Sequence, residues 1–113
     1  DLSNMFNSAL RFNSNIENWN TSNVIKMSCM FRNAISFKQD LSKWNTSKVK
    51  NMESMFESAK LFNQSINNWD ISNVINMKKI FYGATNYNQP MNKWNLSKVK
   101  DKTQMLQETE LEK

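Results

Sequence analysis

Four tryptophans, Trp19, Trp44, Trp69 and Trp94, stand 25 residues apart in a chain of 113 residues. The positions around them repeat with the same period. Ile16, Leu41, Ile66 and Met91 precede each Trp by three positions, Ser22, Ser47, Ser72 and Ser97 follow by three, and Val24, Val49, Val74 and Val99 follow by five. Then come Met27, Met52 and Met77, a series that ends in Lys102. Met30, Met55, Ile80 and Met105 follow, and after them Phe31, Phe56, Phe81 and Leu106. Ala34, Ala59 and Ala84 are preceded by Ala9; Phe37, Phe62 and Tyr87 are preceded by Phe12. A period held at so many phases excludes a globule with one isotropic core. A unit this small cannot bury its own apolar face, so units must stack and share a thin core along the stacking axis. The chain therefore divides into a partial unit at residues 1–12, units at 13–37, 38–62 and 63–87, and a last unit with a C-terminal capping helix at 88–113, all in one repeat domain.

Within the unit, Val49, Met52, Met55 with Phe56, and Ala59 fall at the spacing of one helical face. Ser47 stands just before that stripe, where a hydroxyl caps a first turn. The stretch from Phe62 to Trp69 is too short and polar for a second helix and reads as a short strand around Ile66, then a turn. The expected fold is an α/β solenoid with leucine-rich-repeat-like geometry: one short parallel strand and one helix in each 25-residue unit. Gly83 and Pro90 are the only residues of their kinds, so the turns must be made by Asn, Asp and Ser, which bond to nearby backbone and tolerate turn geometry.

Odd and even units differ. The first and third share Asn18 and Asn68, Asn23 and Asn73, and Ile25 and Ile75; the second and fourth carry Lys43 and Lys93, Lys48 and Lys98, and Lys50 and Lys100. The alternation points to duplication of a two-unit block. The ends differ too. Lys102, Leu106, Thr109 and Glu112 replace apolar residues, as a solvent-facing terminal repeat requires. Residues 1–6 match the middle of a unit helix without a cap, which leads one to expect further units upstream and an open face suited to self-association.

The recurring Trp44, Ser47, Val49, Met52, Met55-Phe56, Ala59 and Phe62-Asn63-Gln64 resemble the repeat of the BspA-like leucine-rich-repeat surface proteins, in the form found in mycoplasma surface lipoproteins. The likeness extends over about residues 1–106, with mild departures at Asn13-Ser14 and Lys38-Gln39. It implies a bacterial cell-surface protein, part of a longer secreted or lipid-anchored chain, acting in adhesion or host interaction. It brings no ligand and no catalytic residue with it.

The residue inventory argues against catalysis. With no histidine and only Cys29, Ser–His and Cys–His nucleophile pairs and the common zinc ligand sets have no members. Glu17, Asp40, Glu53, Glu57 and Asp70 fall at unrelated phases of the unit. No cofactor is expected, and no run approaches the length of a membrane span. Cys29 aligns with Ser54, Lys79 and Gln104 and should face solvent. The column of Asn20, Asn45, Asp70 and Asn95 suggests a hydrogen-bonded ladder at a turn and is a poor cation site. The Trp, Val, Phe and Ala columns read as scaffold.

Function should therefore lie between the scaffold positions. The expected activity is recognition of a protein or host-surface ligand through Glu17, Asn18, Asp40, Lys43, Asn68 and Lys93. A second reading is assembly through the open N-terminal face. A third follows from the net charge of +5: nucleic-acid binding through Lys48, Lys50, Lys98 and Lys100, the least favoured of the three.

Overall fold

In a computed structural model, which describes residues 1–112, one 25-residue unit makes one coil, and the coils stack in parallel. The stacking shows in the backbone hydrogen bonds. In one coil the N–H groups of Met52, Ser54, Phe56 and Ser58 donate to the carbonyls of Asn76, Lys78, Ile80 and Tyr82 in the next, at 2.7–2.9 Å. The same bonds recur from Met27, Cys29, Phe31 and Asn33 and from Met77, Lys79, Phe81 and Gly83. The remaining amides of the segment turn inward on their own coil: Met55 bonds to Met52, Glu57 to Ser54 and Ala59 to Phe56. Every second N–H thus points along the stack, and the backbone donors are satisfied without helix or sheet.

This arrangement overturns the expected α/β, leucine-rich-repeat-like unit. Among the described residues the one helical element is a 3-10 turn at Glu110–Glu112, and β pairing is reduced to isolated parallel bridges linking Lys26, Asn51, Asn76 and Asp101. The expected helix is replaced by consecutive four-residue turns. In the turns 52–55 and 56–59 the third residues, Ser54 and Ser58, have φ of 55° and 58°, as a type II turn requires. Asn4 and Ser8, Cys29 and Asn33, Lys79 and Gly83, and Gln104 and Glu108 occupy the same places with positive φ. A left-handed residue every fourth position breaks any α-helix. Only Gly83 takes this conformation without a side-chain penalty, and a Cβ there would lie 3.2 Å from the Ser58 hydroxyl oxygen of the preceding coil. The expected strand around Ile66 is likewise absent; the one bridging position per coil lies seven residues after each Trp. Ser47 caps no helix, for its hydroxyl donates to Asn45 Oδ1 at 2.7 Å.

The core runs along the stack as ladders. Phe6, Phe31, Phe56 and Phe81 stack ring on ring with centroids 5.5–5.6 Å apart. A second column, Phe12, Phe37, Phe62 and Tyr87, stacks at 5.7–6.1 Å. Within each coil the two columns meet face to face, as Phe56 and Phe62 do at 4.2 Å. Met27, Met52 and Met77, together with Ala34, Ala59 and Ala84, are fully buried beside them. The alanines stand where two turns share a residue: Ala59 N–H donates to Phe56 and its carbonyl accepts from Phe62.

The side of each coil before the Trp has no backbone ladder to its neighbour. There, side chains join the coils. The indole Nε1 of Trp44, Trp69 and Trp94 donates to the carbonyl of Ile16, Leu41 and Ile66, each one coil back, at 2.9–3.0 Å. Asn13 Oδ1 accepts from Lys38 N–H and Asn63 Oδ1 from Asn88 N–H. Gln39, Gln64 and Gln89 donate to the carbonyls of Asn13, Lys38 and Asn63. The Asn-Gln pair of the repeat is a structural tie. At the C-terminus the expected capping helix is also corrected: Met105 bonds back to Lys102 and Thr109 to Leu106, so the tail continues the turn pattern. Lys113 lies outside the described residues.

Candidate functional site

Asparagine and aspartate side chains shape the exposed corners. Oδ1 of Asn20, Asn45, Asp70 and Asn95 accepts the N–H of the serine two residues on, at 3.0–3.1 Å. Asp40 does the same for Ser42, Asn51 for Glu53, Asn76 for Lys78 and Asp101 for Thr103. These are Asx turns, which give a glycine-poor chain its corners. The column of Asn20, Asn45, Asp70 and Asn95 is therefore a series of separate local turns and not a ladder running between coils. The Ser72 hydroxyl, and then its N–H, hold the Asp70 carboxyl below its ordinary range. For Asp40 the Ser42 N–H is the leading cause of a lowered value, followed by the Ser42 hydroxyl.

Three of the six expected contact residues meet. Asp40, Asn68 and Lys93, on successive coils, line one shallow open depression of about 310 Å³. Its rim is braced. Asn68 Nδ2 donates to the Ser42 carbonyl at 3.0 Å, Asn67 Oδ1 accepts the Lys93 N–H at 3.0 Å, and Asn67 Nδ2 donates to Asn92 Oδ1 at 2.8 Å. Glu17 and Lys43 face each other across the preceding coil step at 3.9 Å, with the lysine side chain 65% exposed. At that exposure the pair contributes at most about 1 kcal/mol. Asn18 is exposed and lies outside the depression. Ser42, Gln64, Ser65 and Asn67 complete the lining and were not singled out from the sequence. They sit two to five positions before a Trp, in the same stretch as Asp40, so the repeat phase carried the signal.

The structure also accounts for the lysine alternation. Lys48 Nζ donates to Asn23 Oδ1 at 3.1 Å and Lys98 Nζ to Asn73 Oδ1 at 3.0 Å. Coils sit at about the 4.8 Å spacing of paired strands, so lysine at this phase in every unit would stack like charges directly. Alternation places an amide between them and gives each ammonium an acceptor.

The scaffold columns differ along the stack. Trp44, Trp69 and Trp94 are buried, but Trp19 is 37% exposed; Val49 and Val74 are buried, Val24 and Val99 partly so. Phe31, Phe56, Phe81, Ala34, Ala59 and Ala84 are fully buried. Cys29 is half-buried rather than solvent-facing, and burial pushes its thiol pKa up against the lowering effect of Arg32. A thiol so placed stays protonated and weakly nucleophilic at neutral pH. Among the described residues, no helix is long and apolar enough to cross a membrane.

A family model described as "Mycoplasma protein of unknown function, DUF285" matches residues 1–113, the full length of the chain. No curated protein and no solved structure matches it.

Proposed function

The chain belongs to this Mycoplasma family of unknown function, DUF285, and from that premise we propose that it is a non-catalytic recognition module, displayed at the cell surface as part of a longer secreted or lipid-anchored protein. The supporting observation is the braced depression of Asp40, Asn68 and Lys93. It offers a carboxylate, an ammonium and several amides on a rigid frame, which suits a polar loop of a partner protein bearing both charges. The Asn67 and Asn68 amides and the Lys93 backbone are already held, so the freedom lost on binding is mainly that of the exposed Lys93 side chain. The resemblance of the repeat to BspA-like surface proteins supports a ligand on a host cell or its matrix. The expected result is that Asp40→Asn with Lys93→Gln weakens binding to host cells about tenfold, the effect of losing two charge-assisted contacts at a rim. Unchanged binding would place the recognition surface elsewhere.

A second reading, assembly through the first coil, is favoured by its exposed apolar residues. Met5 and Leu10 are 54% and 52% exposed, beside Trp19 and the partly buried Phe6 and Phe12. Under this reading sedimentation velocity yields a mass that rises with concentration, and Met5→Lys with Leu10→Lys returns a monomer. A wild-type monomer at every concentration would dismiss it.

A further inference from the structure

A different face of the stack is built from the residues flanking the valine column. The valine of each coil points inward, so the residues on either side of it point out. Asn23 and Ile25, Lys48 and Lys50, Asn73 and Ile75, and Lys98 and Lys100 are all exposed around Val24, Val49, Val74 and Val99. Asn23 and Ile25 line one shallow depression with Asp1 and Lys26, which shows that the two outward columns share a face. The backbone holds this face flat: Lys50 N–H donates to the Ile25 carbonyl, Ile75 to Lys50 and Lys100 to Ile75, each at 2.8 Å.

The outcome is a grid in which lysine and isoleucine alternate. Lys50 and Lys100 stand about 10 Å apart, two strand spacings, with Ile75 between them. Lys48 and Lys98 run beside them, steadied by Asn23 and Asn73. Ile25 and Ile75 remain 48% and 40% exposed in the middle of the cations. Carboxylates at its border are Asp1, which shares its depression with Lys26, Glu53, which accepts from Asn76, and Asp101, which has Lys78 near it.

We propose that this face docks on an anionic lipid surface. The isoleucines decide between partners. A soluble polyanion rewards the lysines through its phosphates, while isoleucines set on a flat face among them, not projecting as a wedge, add little to that contact. A lipid interface takes both, its phosphates meeting the ammonium groups and its acyl boundary the isoleucines.

Co-sedimentation with phosphatidylcholine vesicles, with and without phosphatidylglycerol, tests this. Binding is expected on the anionic vesicles alone and should weaken as salt rises. Lys50→Gln with Lys100→Gln should reduce it about 25-fold, at roughly fivefold for each lysine. Ile25→Ser with Ile75→Ser should reduce it about tenfold. These four positions are exposed, and an unchanged thermal melt verifies that each variant folds. Lys38→Gln with Lys60→Gln, the same charge change away from the grid, should leave binding unaltered. Equal binding to neutral vesicles, or full binding by the isoleucine variant, would overturn the proposal. So would tight binding of duplex DNA by a chain that ignores anionic vesicles, which would assign the lysines to a polyanion.

Discussion

Trp69→Ala is expected to lower the unfolding free energy by about 3–5 kcal/mol, and Trp19→Ala by less than about 2 kcal/mol, although the two residues are equivalent in the repeat. The difference follows from what each indole touches. Trp69 is 3% exposed and donates Nε1 to the Leu41 carbonyl at 2.9 Å. Its ring lies 6.4 Å from Trp44 and 6.3 Å from Phe56. Alanine there opens a cavity beneath the aromatic ladder and removes one of two donors to the Leu41 carbonyl, which keeps the Trp44 N–H at 3.0 Å, so the lost hydrogen bond adds about 0.5–1.5 kcal/mol. Trp19 keeps 37% of its surface in water, so less contact is lost with it. Urea denaturation followed by circular dichroism gives both values, with an unchanged slope showing that stability alone has moved. Against a typical total of about 5–15 kcal/mol, the Trp69 variant stands near unfolding. Equal costs at the two positions would show that the column does not draw its stability from stacking on the coil before it. A large loss at Trp69 would also assign the buried tryptophans to scaffold, since a stacking platform for sugars or bases needs an open ring face.

Much of this organisation was legible in the sequence, and the misreading has a definite cause. The 25-residue spacing marks which residues stack, because each coil places the same phase over itself, and the aromatic and methionine columns follow. The local conformation was not legible. Inward residues at Met52, Met55, Phe56 and Ala59 have the spacing of a helical stripe, yet consecutive four-residue turns point their corners inward at those same intervals. Glycine at the third position of each turn would have separated the two. The chain supplies it once, at Gly83, and elsewhere places Ser54, Ser58, Lys79 or Gln104 in the left-handed region. Each such residue carries about 1–2 kcal/mol of local strain, which the fold offsets at Ser54, Ser58 and Lys79 by pairing the same amides with the next coil, as Ser54 does with Lys78 at 2.9 Å.

The surface was legible in part for the same reason. Asp40, Asn68 and Lys93 could be grouped because they fall just before a Trp, and the stack brings them to one depression. The partners of Glu17 and Lys48 depended on the length of the coil step, which sequence spacing alone does not give. Asn63 and Gln64 stand in the sequence only as recurring members of the repeat; that their side chains are the ties on the side of the coil without a backbone ladder shows only once the coils are stacked.

Tyr87→Phe is expected to stabilise the protein by about 2 kcal/mol, raising the melting temperature by roughly 4–8 °C for each kcal/mol gained. Tyr87 is fully buried, and its hydroxyl meets no donor or acceptor among the described residues. A buried hydroxyl left in that state costs about 1–3 kcal/mol. The other coils carry phenylalanine at this place, Phe12, Phe37 and Phe62, so the site accepts the smaller ring. The stacking is kept: the ring of residue 87 lies 4.0 Å from Phe81 and 6.1 Å from Phe62. Alkaline pH gives an independent check. Burial raises the Tyr87 pKa well above its ordinary value. Below the unfolded value of about 10 both states hold the proton, and the difference between the two proteins does not depend on pH. Above it the unfolded chain ionises while the folded one resists, so wild type loses stability that Tyr87→Phe retains. The gap in melting temperature should therefore be constant from neutral pH to about 10 and widen beyond it. A variant that melts no higher than wild type would mean that the hydroxyl is paired in solution, and a gap that stays flat above pH 10 would mean that the ring is reached by solvent.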